Sequence, residues 1–308
     1  MSPERLTAIF AIFAVVVAGV SAILHGWTPV SDQALIELMV RDVPLNAPLV
    51  GSWSRFGWSH PGPAQFYFLA VFYWLGARTS VMLLVGTIVM HATAALIAWY
   101  TARQVTPRAG PPVVVGALAI VLTTNPTLLR DPWNPFVATL GALALCCAAW
   151  GFAERQTAGA IALFPVATFL LQAHLANGPF VVAVVVGAVL LSFTARSEWL
   201  PRREIANGVL IAAVMWIPPV VQQLVSEDGN MSRILNAEGH GERLGIRSSL
   251  HVLTQQLSVV PDALSPGRVN AGLLETTKWG FPFWGLLSLS QWRCSSVNGT
   301  GRFCVVRV

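Results

Sequence analysis

Apolar runs long enough to form bilayer helices follow one another along this chain, and they constrain its fold more than any motif does. They fall at roughly 6–25, 80–101, 112–129, 135–153, 157–174, 179–195 and 205–222, where a crossing helix needs about 17 to 25 residues. A shorter run at 63–77, crowded with Phe, Tyr and Trp, is ambiguous. Of the 308 residues 55% are hydrophobic and 11% charged, a balance foreign to soluble domains of this length. The expected fold is all-α, a polytopic transmembrane helix bundle of roughly 7–8 spans.

The arginines decide whether 63–77 crosses. If it does not, and the N-terminus is cytoplasmic, Arg5, Arg103, Arg108, Arg155, Arg196, Arg202 and Arg203 face inward while Arg41, Arg55, Arg78 and Arg130 face outward, seven against four. If it does cross, the same residues divide three inside and eight outside, against the positive-inside rule. The first arrangement makes 26–79 one external loop with interfacial helices, the second entered through His60-Pro61-Gly62-Pro63, where Pro63 suits a first helical position and Gly62 relaxes the backbone. The run at 6–25 reads as a retained span, since no small-x-small cleavage site follows it. The organisation expected is therefore a membrane module over 1–224, an external polar segment over 225–278, and a short apolar run with an atypical tail over 279–308.

Charge and cysteine usage exclude several classes. The 19 cations are spread thinly, with Lys278 the sole lysine, so no basic tract points to nucleic acid. Cys146 and Cys147 are adjacent in an apolar run and read as small fillers, while Cys294 and Cys304 sit in the tail, so no disulfide framework emerges. Walker, dinucleotide, metalloprotease and nucleophile-elbow signatures are absent, and His240 and His251 lack a third ligand.

The polar clusters gather at predicted external ends. Asp32 opens "SDQALIELMVRD", where Ser31 can cap the helix; the carboxylate is either a helix-start residue or a base for a hydroxyl acceptor. Arg55 and His60 flank an aromatic turn and serve either a substrate phosphate, or bilayer phosphates and the turn itself. Arg130 and Asp131 in "LLRDPWNP" form either a plain turn with an anchoring Trp133 or a second cation and carboxylate for substrate. Gln172 and His174 end a span, where they bond a neighbouring helix or line a polar cavity.

Taken together, "SDQALIELMVRDV…SRFGWSHPGPAQFYFLAVFYWLG", "LLRDPWNP", "FLLQAHL" and "WIPPVVQQLVSEDGN" resemble bacterial, largely actinobacterial, membrane proteins of the GT-C glycosyltransferase class, over about 5–235. The resemblance implies transfer of a sugar from a polyprenyl-phosphate donor to a lipid, glycan or protein acceptor on the outer face of the cell membrane. Asp32 matches the class's catalytic base; Arg55, His60, Arg130, Asp131, Gln172 and His174 are the candidate donor-phosphate or substrate contacts. Asp32 is followed by Gln33 where many members carry a second acid, which leaves Asp32 without an adjacent carboxylate to bridge a metal; no cofactor is certain, and a divalent cation is the one candidate. Two other readings remain: a transporter or flippase of lipid-linked sugars, and a non-catalytic membrane protein. The too-short apolar run at 279–292 and the abrupt composition shift after it, in "RCSSVNGTGRFCVVRV", lead us to expect a chain that ends inside a longer architecture.

Overall fold

The protein is described by a computed structural model over residues 20, 27–194, 201–237, 245 and 247. Apart from Val20, the first apolar run lies outside these residues, as do the run and tail over 279–308, His240 and His251. Among the described residues no strand forms beyond one isolated bridge between Trp53 and Ser59. The helices are α1 (Asp32–Asp42), α2 (Ala64–Leu75), α3 (Val81–Val105), α4 (Gly110–Thr124), α5 (Ala138–Ala153), α6 (Thr157–Ala173), α7 (Gly178–Ser192), α8 (Arg202–Val225) and α9 (Asn230–Leu235). All of them belong to one compact unit, Met1–Glu238.

Four stretches are long and apolar enough to cross a membrane: Val81–Val105, Asn134–Ala153, Leu175–Ser192 and Arg202–Val225. Three more apolar helices, Ala64–Leu75, Gly110–Leu122 and Thr157–Ala173, are shorter. The run expected at 112–129 is divided by its own residues. Pro111 and Pro112 occupy the first helical positions of α4, but Asn125 is extended and Pro126 has no N–H to continue the helix, so a 3-10 turn, Pro126–Leu129, follows instead.

Helix α5 is central, packed against α3, α6 and α7, with Leu145, Ala148, Leu163 and Leu170 in the core between it and α6. Two glycines set the α5–α6 distance: a Cβ on Gly159 would collide with the backbone at Gly151. Small residues admit such close backbone approach where lipid supplies no hydrophobic drive between helices. By contrast α7 and α8 have only 17% of their apolar windows buried within the fold. Leu190, Leu210, Val214, Ile217 and Leu224 are exposed, and a helix that is apolar all round suits a lipid surrounding.

Prolines inside α6 and α8 leave carbonyls without their helical partners, and both carbonyls face the α6–α8 interface. Pro165 cannot bond the Ile161 carbonyl, and α8 passes so close above it that a Cβ on Gly208 would lie 2.7 Å from that oxygen. Pro219 likewise leaves the Met215 carbonyl bare; the fully buried Gln172 donates Nε2–H to it at 2.8 Å. Gln172 thus bonds the neighbouring helix, one of its two expected uses, while its Oε1 is buried without a partner.

Hydrogen bonds fix which helix ends lie together. At one end Gln104 Oε1 accepts the Ala158 N–H at 2.8 Å, and Arg155 donates to the Ser192 carbonyl at 3.0 and 3.1 Å. This gathers the end of α3, the starts of α4 and α6 and the ends of α5 and α7. Arg103, Arg108 and Arg155 are here, with Arg202 and Arg203 on the first turn of α8. At the other end Asn134 Nδ2 donates to the Ala173 carbonyl at 3.0 Å, and Gln65 Nε2 donates to the Pro132 carbonyl at 2.6 Å. Arg41, Arg55, Arg78 and Arg130 belong to this end.

Helix α2 packs along the first half of α3, where a Cβ on Gly86 would meet Leu69 and Phe72. Its start is tied to Pro132, and α1 beside it spans from Asp131, bonded by Gln33, to Ser80, whose hydroxyl donates to Glu37 at 2.8 Å. At 12 residues, about 18 Å, α2 is also too short to cross the hydrocarbon layer. Two local expectations are corrected. Ser31 makes no side-chain cap; its φ of 52° and the Gln33 N–H to Val30 carbonyl bond of 3.1 Å place it in a tight turn that costs about 1–3 kcal/mol for a non-glycine residue. Gly62 does not relax the backbone, since its φ is not in the left-handed region; it is small because a Cβ there would run into the Gln172 carboxamide.

Replacing Gln172 by Leu strands the Met215 carbonyl and is expected to lower stability by about 1–3 kcal/mol, read by thermal unfolding in detergent. Adding Pro219→Ala restores a backbone donor to that carbonyl, so the double variant should recover most of the loss. Equal losses with and without Pro219→Ala would show that the brace does not act through Met215.

Candidate functional site at one end of the bundle

Two segments about a hundred residues apart bond each other reciprocally. Asp32, exposed at the start of α1, accepts the Trp133 indole N–H at 2.8 Å through Oδ2. Its neighbour Gln33 donates Nε2–H to Asp131 at 3.0 Å to Oδ2 and 3.3 Å to Oδ1. Asp131 Oδ1 also accepts the Trp133 backbone N–H at 2.9 Å, an Asx turn that explains why Asp-Pro follows Arg130 here. Trp133 is steadied by Phe136, whose ring meets it edge-on at 4.9 Å. The tryptophan therefore orients the carboxylate of Asp32, while Asp32 Oδ1 accepts no bond among the described residues.

Arg130 is half-buried beside this cluster; its backbone N–H bonds the Thr127 carbonyl at 3.1 Å, while its guanidinium has no ionic or hydrogen-bond partner among the described residues. The other arginines at this end are engaged. Arg41 approaches Asp42 at 3.8 Å, Arg233 binds Asp228 at 2.8 Å, Arg78 lies 3.9 Å over the Trp74 ring and Arg55 5.2 Å over the Phe56 ring.

Residues 51–60 form a hairpin. Its frame is Gly51 N–H to the His60 carbonyl at 2.9 Å, His60 N–H to the Ser52 carbonyl at 2.9 Å and Ser54 N–H to the Trp58 carbonyl at 2.8 Å, with Gly57 at φ +87° supplying the turn. Arg55 sits exposed at the tip. His60 sits buried at the base, 6% exposed, its ring 4.3 Å from that of His174. Its Nδ1 accepts the Leu175 N–H at 3.2 Å, and His174 Nδ1 accepts the next amide, Ala176, at 3.3 Å. Burial, and then the proximity of His174, pushes the His60 pKa down to about 4; burial lowers that of His174.

The hairpin is fastened from the far end of the chain. Asn230, buried at the start of α9, accepts the Ser59 N–H at 2.7 Å and donates to the Ser59 carbonyl at 2.9 Å, pairing with that residue as a neighbouring strand would. Asn230 is itself held by Gln222 at the end of α8, whose Oε1 accepts its N–H at 2.9 Å. Within "QQLVSEDGN" the local signal for this role is an amide residue just after a turn glycine.

The structure thus collects Asp32, Asp131, Arg130, His60, His174 and Gln172 at one end, with Arg55 on the hairpin tip. The carboxylate group and the imidazole pair are joined through Asn134 and Gln65, without a direct bond between them. No three His, Cys, Asp or Glu side chains converge to hold a metal ion among the described residues. Gln33 sets an N–H donor, not an oxygen ligand, against Asp131, so these residues do not fit a divalent cation. A separate cleft of about 670 Å³ between α5 and α7, lined by Cys146, Trp150, Glu154, Gly187 and Leu191, touches none of the candidate residues. No family model, curated protein or solved structure matches the chain.

Asn230→Ala should release the hairpin without unfolding the bundle. Hydrogen exchange at the Ser59 and His60 amides is expected to rise at least about tenfold, as for loss of roughly 1.4 kcal/mol of local protection, while amides in α5 and α6 keep their rates. Unchanged exchange at Ser59 would remove Asn230 from this role.

Proposed function

We propose that the protein is a multi-pass membrane glycosyltransferase of GT-C-like architecture, with roughly 7–8 spans and a cytoplasmic N-terminus. It moves a sugar from a polyprenyl-phosphate donor to a hydroxyl of a lipid, glycan or protein on the outer face of the cell membrane. The observation that carries this reading is Asp32: an exposed carboxylate with one oxygen held by the Trp133 indole and the other open, beside the unpaired Arg130.

The reaction needs one base, cations for the departing phosphate and a wall for the lipid. Asp32 takes the proton of the acceptor hydroxyl as its oxygen attacks the anomeric carbon. The bond from that carbon to the phosphate oxygen breaks, and its electron pair leaves with polyprenyl phosphate. Arg130 and Arg55 neutralise the phosphate, and His60 and His174 donate to its oxygens. Asp131 acts indirectly, building the turn that presents Trp133 and Arg130. The apolar surfaces of α7 and α8 suit the lipid in which a polyprenyl chain dissolves.

Purified protein incubated with a panel of polyprenyl-phosphate sugars is expected to release polyprenyl phosphate. Asp32→Asn should reduce that release by about 100-fold or more while leaving donor binding intact. Near-normal turnover in Asp32→Asn would reject Asp32 as base; movement of intact donor across vesicles without release would make the protein a flippase.

A further inference from the structure

We propose that His60 and His174 form a neutral two-donor site for an anionic oxygen, each imidazole locked in its Nε2–H tautomer by a backbone amide. The lock follows from the bonds at the rings. Leu175 and Ala176 contribute consecutive N–H groups, and each points at an Nδ1, at 3.2 and 3.3 Å. An N–H donor requires a lone pair on the nitrogen that receives it, so both Nδ1 atoms are unprotonated and the ring protons sit on Nε2.

Leu175 and Ala176 open the helical stretch Leu175–Ser192. Their amides belong to its positive end, which disfavours imidazolium on the two rings, whose centroids lie 4.3 Å apart at a tilt of 37°. Burial and mutual proximity act in the same direction. The charged groups around the pair do not oppose this. The hairpin contributes Arg55 at its exposed tip, the α8–α9 segment contributes Glu227, Asp228 and Arg233, all exposed, and the 130–135 turn contributes Arg130 and Asp131; α2 and α6 contribute none. Of all these groups, His174 is the one whose proximity lowers the His60 pKa, after burial.

Two consequences set this pair apart from an ordinary histidine cluster. Neither ring can ligate a metal through Nε2 without losing its proton or moving it to Nδ1 and so giving up the hydrogen bond from the backbone N–H, which makes the pair a donor site and not a metal site. Nor does it recognise an anion by charge: it offers two N–H bonds at any pH above the depressed titration, with Arg130 supplying the charge nearby. The ligand is an oxygen of a phosphate ester. That identity rests on the transferase reading; the tautomer lock does not.

Protein labelled with 15N-histidine, in nanodiscs of zwitterionic lipid, tests this by two-bond 1H–15N correlation, with His60→Asn and His174→Asn giving assignments. Both rings are expected to show the Nε2–H pattern at pH 8, and the His60 ring to keep it down to pH 5.5. Geranyl phosphate should shift both Nε2 resonances. Inorganic phosphate and nanodiscs containing phosphatidylglycerol, run separately, tell free phosphate and bilayer headgroups from a prenyl phosphate; a shift with any of the three supports the site. An Nδ1–H pattern, a His60 midpoint near pH 6.5, or no shift with all three overturns it. Success here with no sugar transfer from any donor would defeat the transferase reading alone.

Discussion

Backbone groups left bare by prolines and helix ends, in a bundle whose surroundings offer little water, govern this structure. Each unpaired buried carbonyl or amide costs about 1–3 kcal/mol, and most polar side chains inside the fold answer one. Gln172 covers the carbonyl exposed by Pro219, Gln65 the one before Trp133, Asn134 and Asn177 the last carbonyls of α6, and Gln104 the first amides of the same helix. At the same end as Gln104, Arg155 does this for the last turn of α7.

Among the polar atoms of the described residues left without a partner, which include the buried Ser52 Oγ, Trp74 Nε1 and His91 Nε2, one group lies together: the guanidinium of Arg130, one oxygen of Asp32, the ring N–H groups of His60 and His174, and the buried Oε1 of Gln172. Their supports come from sequence positions near 32, 60, 132, 174 and 230, so no one of these segments holds the site alone. The hairpin is the most dependent part, because its outer edge is held by two bonds to Asn230. A site with a firm carboxylate on one side and a latched loop on the other can admit a bulky substrate by loosening only the loop.

The helices were legible because apolar runs report burial or lipid exposure directly: 80–101 became Val81–Val105, 157–174 became Thr157–Ala173, and the ambiguous 63–77 became a helix too short to span. The division of 112–129 at Asn125 was written in Pro126 but masked by the unbroken hydropathy around it. The arginine tally assigned every described residue it used to the end where the structure gathers it. Partnerships were less legible. Gln33 with Asp131, Trp133 with Asp32 and Asn230 with Ser59 are chosen by three-dimensional register, and nothing within either local segment encodes its partner. The size of Gly62 was visible but its reason was not, since the side chain it accommodates lies 110 residues away.

The central claim is that α1, the hairpin, α2 and the start of α3 share one half of the bundle, which is what brings Asp32 to the imidazole pair. Side-specific labelling tests it most directly. In a background with its cysteines replaced, Asn46→Cys and Thr79→Cys, both at exposed positions flanking α2, should react with a membrane-impermeant maleimide from the same side in intact cells or oriented vesicles. Arg108→Cys should react only from the other. Labelling of Asn46→Cys and Thr79→Cys from opposite sides would mean that α2 crosses the membrane, and would contradict the account.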